Sequence, residues 1–278
     1  MIIDAHFHCW RLARGDFGWL TPALRPIYRD VSIADWVRVS EAVGVQGGVL
    51  VQAAPTEAET LYLLEQAARH DAVLGVVGWV DLLAADAPER IAQLATAHPK
   101  LKALRPMLQD LGDPDWILQP VLTPALEAMT AHSLIFDALV KPLHLPRVRA
   151  LCARHPTLSL VIDHGAKPDI ARGLWEPWAS DLALIARETR ACCKLSGLLT
   201  EAGPSPARGA AQRWGAHVLE AFGAERVLWG SDWPVLELAA HYADWWDDVQ
   251  RLLAGFDPPQ LAAVLGGNAH RVYRLSPP

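Results

Sequence analysis

Eight short apolar, β-branched runs recur along this chain, each followed by a longer stretch with helical spacing. No other feature restricts the fold as much. The strand candidates fall at 2–8, 47–52, 74–80, 102–108, 134–140, 159–164, 192–197 and 226–230. Helical spacing appears near 33–43, 57–70, 86–98, 121–132, 145–155, 178–190, 208–222 and 239–254. Strands and helices in strict alternation over about 250 residues predict a (β/α)8 barrel. The prediction is one domain spanning 1–278. An open doubly wound sheet would carry a glycine-rich phosphate turn after its first strand, and His8-Cys9-Trp10-Arg11 is nothing like one. In the second helix, Leu61, Leu64, Ala67 and Ala68 are expected to form the buried face. The tail from 255 is Pro-rich, carries a short helical pattern at 258–265 and is expected to pack across the barrel.

Composition narrows the function classes. The chain has 278 residues, is 51% hydrophobic and carries a net charge of −6, enough for a large core. No basic stripe or Lys/Arg block appears, which argues against nucleic acid as a partner. No apolar run approaches the roughly 20 residues of a membrane span. The N-terminus lacks the basic, apolar and small-residue order of a secretory leader. The four cysteines, Cys9, Cys152, Cys192 and Cys193, show no CxxC spacing. A reduced, cytoplasmic protein is the expectation.

A parallel barrel places its chemistry at the C-terminal ends of its strands, so the residues there are the candidates. The first strand ends in His6-Phe7-His8, and alternation along a strand aims both imidazoles the same way. Two such rings can bind one metal ion or hydrogen-bond one substrate oxygen. His164 ends the sixth run after Asp163, and alternation would let only one of the two enter the mouth. Asp232 follows the last run, where a carboxylate can take a proton from water. Arg105 lies inside an apolar strand, where it needs a substrate oxygen or a carboxylate such as Asp137 or Glu201. Lys194 and Ser196 share a face that could reach the mouth. Trp10, Trp19, Trp79, Trp229 and Trp233 fall near strand ends or in the long first loop. An aromatic rim of this kind suits a ring-shaped ligand. That loop, residues 9–32, leaves from the histidine end and is expected to wall or cover the site. Cys192 and Cys193 have no nearby base and read as packing residues.

Six pieces together resemble the amidohydrolase superfamily, in particular its lactonase branch. They are Ile3–Trp10, Arg14–Leu20, Leu104–Asp110, Val161–Pro168, Lys194–Glu201 and Gly230–Pro234, and the closing Gly267-Asn268-Ala269 also fits. The resemblance spans essentially the whole chain. It implies a hydrolase acting on the ester bond of a lactone, with Asp232 activating water and His6, His8 and His164 polarising the carbonyl. It also implies that these four residues hold one divalent metal such as zinc, or that no metal is used. Two-metal relatives need a bridging carboxylated lysine and a further histidine, and Cys192–Ser196 supplies no histidine. No organic cofactor is implied. The expected substrate is a sugar lactone, bound through Arg105, Trp19, Trp79, Lys194 and Trp233, because few cationic groups converge. The alternatives are opening of a pyrone dicarboxylate, a zinc-dependent decarboxylase on the same fold, or a non-catalytic binding protein.

Overall fold

All eight predicted strands form, and they pair in parallel in chain order. They are β1 (Ile3–Phe7), β2 (Gly47–Val51), β3 (Val73–Gly78), β4 (Leu101–Leu104), β5 (Ile135–Ala138), β6 (Leu160–Ile162), β7 (Cys192–Leu195) and β8 (Val227–Trp229). The computed structural model describes residues 1–276, so the last two residues of the predicted domain lie outside the description. The intervening helices are α1 (Ile33–Glu41), α2 (Glu57–Arg69), α3 (Ala87–Ala97), α4 (Thr123–Ala131), α5 (Leu145–Arg154) and α6 (Trp178–Glu188). A short α7 (Leu198–Glu201) precedes α8 (Gln212–Phe222) and α9 (Tyr242–Leu252), and α10 (Pro258–Ala262) and α11 (Asn268–Val272) close the chain. The strands stop earlier than the apolar pattern suggested. Past their ends the backbone turns outward, and the polar residues there become loop.

Two apolar layers hold the barrel. The outer layer joins the helices to the strand faces pointing at them, and α2 shows how the sequence misleads there. Glu59, Thr60, Leu63, Leu64 and Ala67 are its buried residues, whereas Leu61 is 46% exposed and Ala68 faces solvent. The stripe is therefore displaced from the predicted one, because Thr60 Oγ1 reaches past the helix to the backbone of Trp79. The inner layer fills the lower barrel with Ile3, Ala5, Val49, Leu74, Ile135, Val161 and Leu228, sealed by Tyr273 and Leu275 from the tail. The tail thus packs across the barrel at the end opposite the histidines.

One irregularity in β1 sets the site. Asp4 pairs with Gly48 and Phe7 with Leu50, so one extra residue is accommodated in β1. This bulge breaks the simple alternation. Asp4 turns to the helix layer, where Trp36 Nε1 donates to it at 3.0 Å, while His6 turns into the barrel.

Candidate active site

The seam that closes the barrel is built from the backbone of the candidate residues. The Asp232 amide donates to the His6 carbonyl at 2.8 Å, and the His8 amide donates to the Trp233 carbonyl at 2.8 Å. Asp232 occupies the left-handed region at φ 58°, a conformation an aspartate tolerates better than most residues. The turn before it is fixed by Asp4, which accepts from the Ser231 amide at 2.8 Å, Ser231 Oγ at 2.6 Å and Tyr242 Oη at 2.9 Å.

Four donor atoms converge above this seam. His6 Nε2 and His8 Nε2 lie 3.2 Å apart, and Asp232 Oδ1 stands 3.3 Å from His8 Nε2, 3.6 Å from His6 Nε2 and 3.8 Å from His164 Nε2. Burial pushes against ionisation of Asp232, but the imidazoles, His164 foremost, outweigh it and hold the carboxyl well below its usual range. Burial lowers His164 to about 4 and His6 further, the latter with help from the Lys194 ammonium. At neutral pH Asp232 is therefore a carboxylate, and His6 and His164 are neutral rings. His8 Nδ1 donates to the Val51 carbonyl at 2.7 Å, and His8 Nε2 lies within hydrogen-bond distance of Asp232 Oδ1, at 3.3 Å.

Alternation did not anticipate the entry of His164. His164, Gly165, Ala166 and Lys167 all adopt left-handed backbone, with φ of 54°, 56°, 63° and 51°. The chain coils back instead of continuing as a strand, so Asp163 and His164 both face the barrel. Asp163 meets Arg105 at 3.1 Å, and His164 Nδ1 meets Ser196 Oγ at 2.8 Å. Such conformations cost non-glycine residues about 1–2 kcal/mol each. Trp178 Nε1 offsets part of that cost by donating to the Gly165 carbonyl at 2.7 Å.

Gly197 allows this arrangement. A Cβ there would sit 2.6 Å from His164 Nδ1, and its φ is 66°. Gly197→Ala is therefore expected to displace the His164 ring and to cut turnover at least about tenfold, with about 1–2 kcal/mol of destabilisation. Steady-state kinetics beside a thermal melt would check this. An unchanged turnover number would mean the ring position is immaterial.

Arg105 pairs with neither of the carboxylates suggested for it. Lys194 takes Asp137 at 2.6 Å, and Lys167 takes Glu201 at 2.8 Å. Arg105 instead clamps Gln52, with Nε 3.1 Å and Nη2 2.9 Å from Gln52 Oε1 and a further bond from Nη2 to the Gln52 carbonyl. Nη1 meets Asp163 at 3.1 Å and also lies within hydrogen-bond distance of His6 Nε2, at 3.4 Å. Lys194, expected to contact substrate, lies deep in the barrel. Its side chain is 0% exposed and lies below the histidines, 3.1 Å from His6 Nδ1. Trp233, also expected at the rim, is 2% exposed, and its indole N–H donates to Glu237 at 2.8 Å. Trp10 and Trp229 are likewise core. Trp19 and Trp79 are half-buried. Trp19 belongs to the loop over the mouth and donates to the Ala53 carbonyl, just past β2, at 2.7 Å.

The loop 9–32 is pinned across the site. Trp10 Nε1 donates to the Arg29 carbonyl at 2.8 Å, and Arg29 pairs with Glu237 at 2.8 Å. A cleft of about 990 Å³ opens at the other end of the barrel, among Arg149, Arg187, Arg190, Arg271 and Arg274. It lies far from the histidines, by the C-terminal ends of α5 and α6, where cations complement the helix dipoles.

The chain matches the amidohydrolase family over residues 3–275. It belongs to that family. The amidohydrolase is 47% identical to a Burkholderia ambifaria protein named L-fucono-1,5-lactonase, over 99% of this chain and 96% of the relative. It is 34% identical to a Burkholderia multivorans protein of the same name, over 99% of this chain and 97% of the relative. A solved amidohydrolase from Burkholderia multivorans, described with bound zinc, superposes with a TM-score of 0.90 at 33% identity, covering 99% of this chain and 100% of that one. Sequence reasoning missed what Asp4, Gln52 and Asp163 do in this amidohydrolase. Each is a polar residue in or beside a strand, and a buried polar residue there needs a partner. That signal was present, but the partners lie from 32 to 238 residues away.

Proposed function

We propose that this amidohydrolase hydrolyses a sugar lactone, with Asp232 as the base that activates water. The observation that carries the proposal is the buried Asp232 carboxylate, kept ionised by three imidazoles at the mouth of the barrel. The two relatives named as lactonases support the substrate class. Asp232 takes a proton from water, and the water oxygen attacks the ring carbonyl carbon. The Arg105 guanidinium, 3.4 Å from His6 Nε2, and the His6 ring stabilise the developing oxyanion. As the carbon–oxygen bond of the ring breaks, Asp232 returns the proton to the departing oxygen, giving the open hydroxy acid. No covalent intermediate is needed.

A sugar lactone fits better than a pyrone dicarboxylate. A dicarboxylate needs several free cationic donors. Here Lys194 is enclosed between Asp137 and Asp163, and Arg105 is largely spent on Gln52 and Asp163.

The donor set also fits one divalent cation in large part. Tetrahedral zinc with ligands at about 2.0–2.1 Å needs donor atoms roughly 3.3 Å apart, which the 3.2–3.8 Å separations approach. His8, His164 and Asp232 are ready donors, whereas Asp163 Oδ1, on the far side of His6, is already paired with Lys194 Nζ at 2.9 Å. A cation held there would polarise the lactone carbonyl as a Lewis acid.

The direct test offers L-fucono-1,5-lactone, other aldonolactones and pyrone dicarboxylate to chelator-treated and zinc-supplied protein. Turnover of a sugar lactone is the expected result, and failure on every lactone in both preparations would end the proposal. The acid side of the pH profile adds a check. Asp232 has a depressed pKa, so its carboxylate persists as pH falls, and His164 stays neutral down to about 4. Accordingly, kcat/KM is expected to stay level from pH 7 to about 5. An acid limb centred near 6 would point instead to an ordinary histidine as the base.

A further inference from the structure

The cleft at the end of the barrel opposite the histidines concentrates positive charge that hydrolysis does not use. Arg149, Arg187, Arg190, Arg271 and Arg274 line about 990 Å³ of open space, and Glu188 is the one carboxylate in the lining. Glu188 is shared by Arg149 at 3.5 Å and Arg187 at 3.2 Å. Among the described residues, no carboxylate pairs with Arg190, Arg271 or Arg274. Five guanidiniums thus face one carboxylate, in a chain whose net charge is −6. Like charges gathered around one cleft repel each other unless an anion neutralises them.

Structural duties account for only part of this charge. The carbonyls at the end of α6 are already served by Arg226, whose Nη2 donates to Ala186 at 2.8 Å and whose Nη1 donates to Thr189 at 3.1 Å. Arg187 and Arg190 therefore add charge beyond what that helix end needs. Arg271 donates to Asn268 Oδ1 at 3.0 Å, a neutral acceptor that leaves its charge unpaired. Arg274 follows α11 in left-handed backbone, at φ 48°. The Leu275 amide there donates to the His270 carbonyl at 3.0 Å, closing a helix-end turn that favours glycine at position 274. Glycine would make the same turn with less strain. It would also keep the backbone carbonyl that accepts from Lys102 Nζ at 3.2 Å. The turn has no need of the arginine side chain, which lines the cleft.

We propose that this cleft binds a compact anion carrying two or more phosphate or carboxylate groups, held between Arg271 and Arg274 of the tail and Arg149, Arg187 and Arg190 of α5, α6 and the turn after α6. Guanidinium forks match both kinds of group, and the volume is that of a small-molecule site. No Phe, Tyr or Trp ring lines the cleft, so a nucleobase finds no stacking face there and the charged groups alone are recognised. The bound anion ties the tail to α5 and α6. Since Tyr273 and Leu275 of that tail seal the inner apolar layer, binding stabilises the closed barrel. The site is independent of the lactone reading.

The test titrates chelator-treated full-length protein with inorganic tripolyphosphate and, separately, with citrate, by calorimetry and by thermal melts against sodium chloride of matched ionic strength. One anion bound per chain is expected, with a melting temperature that rises and saturates and an affinity that weakens as salt is added. Arg190→Ser and Arg274→Gly should each bind at least about tenfold more weakly. Arg274→Gly should meanwhile melt no earlier than wild type without the anion, so its loss of binding cannot be laid to unfolding. Arg38→Ser, which removes one positive charge from α1 outside the cleft, should bind as wild type does. A preference for tripolyphosphate or for citrate that both cleft variants abolish supports the site and tells which group it takes. Binding without saturation would overturn the proposal. So would cleft variants that bind as tightly as wild type, or an Arg38→Ser variant weakened as much as they are.

Discussion

Asp232→Asn is expected to lower kcat by about a thousandfold or more while leaving the fold intact. The amide is isosteric with the carboxylate, and the backbone bond from residue 232 to the His6 carbonyl does not depend on the side chain. The variant therefore loses the proton acceptor and keeps the barrel seam. Asp232 is 3% exposed and its charge is stabilised by three imidazoles, so an uncharged group there relieves the burial cost while losing those contacts. The two changes offset, and the melting temperature should move by only a few degrees. Turnover and a thermal melt on the same preparation check both halves. Near-normal turnover would place the base elsewhere, with Asp163 the next carboxylate to examine, since it too is ionised and lies within reach of His6.

The largest stability effect should come from a residue that touches no substrate. Asp4→Ala removes a buried acceptor that serves the Ser231 amide, Ser231 Oγ, Trp36 Nε1 and Tyr242 Oη. Each donor left without a partner costs about 1–3 kcal/mol, less whatever water recovers. A total near 3–5 kcal/mol follows, roughly 10 °C in melting temperature for a domain of this size. Turnover should fall as well, because the Ser231 turn sets the left-handed backbone that aims Asp232. Asp4→Asn should be milder, since an amide oxygen keeps part of the acceptor capacity. Denaturant unfolding of both variants checks the order. Equal stability of wild type and Asp4→Ala would show that the carboxylate network is dispensable.

Much of the architecture was legible in the chain. The eight apolar runs and the helical stretches between them correspond to the strands and helices observed, because periodicity and breakers such as His98-Pro99 and His155-Pro156 act locally. His6, His8, His164 and Asp232 were legible for a related reason. They terminate apolar runs, and a parallel barrel brings all such termini to one end. What local pattern could not convey was the direction of side chains next to irregular backbone. The bulge in β1 turned Asp4 away from His6, and the left-handed run at 164–167 let Asp163 and His164 enter together. Nor could local pattern assign partners. Lys194 and Trp233 looked like rim residues by position, and packing placed one under the histidines and the other in the core.

The sequence by itself therefore determined the barrel, the end at which its chemistry gathers and the residue types that gather there, since these depend on spacing along one chain. Tertiary structure alone decided which carboxylates stay charged and which partners enclose Lys194 and Arg105. Those properties depend on charges and hydrogen-bond partners within a few ångströms, and residues as distant as Tyr273 and Asp137 become such partners only once the barrel has closed.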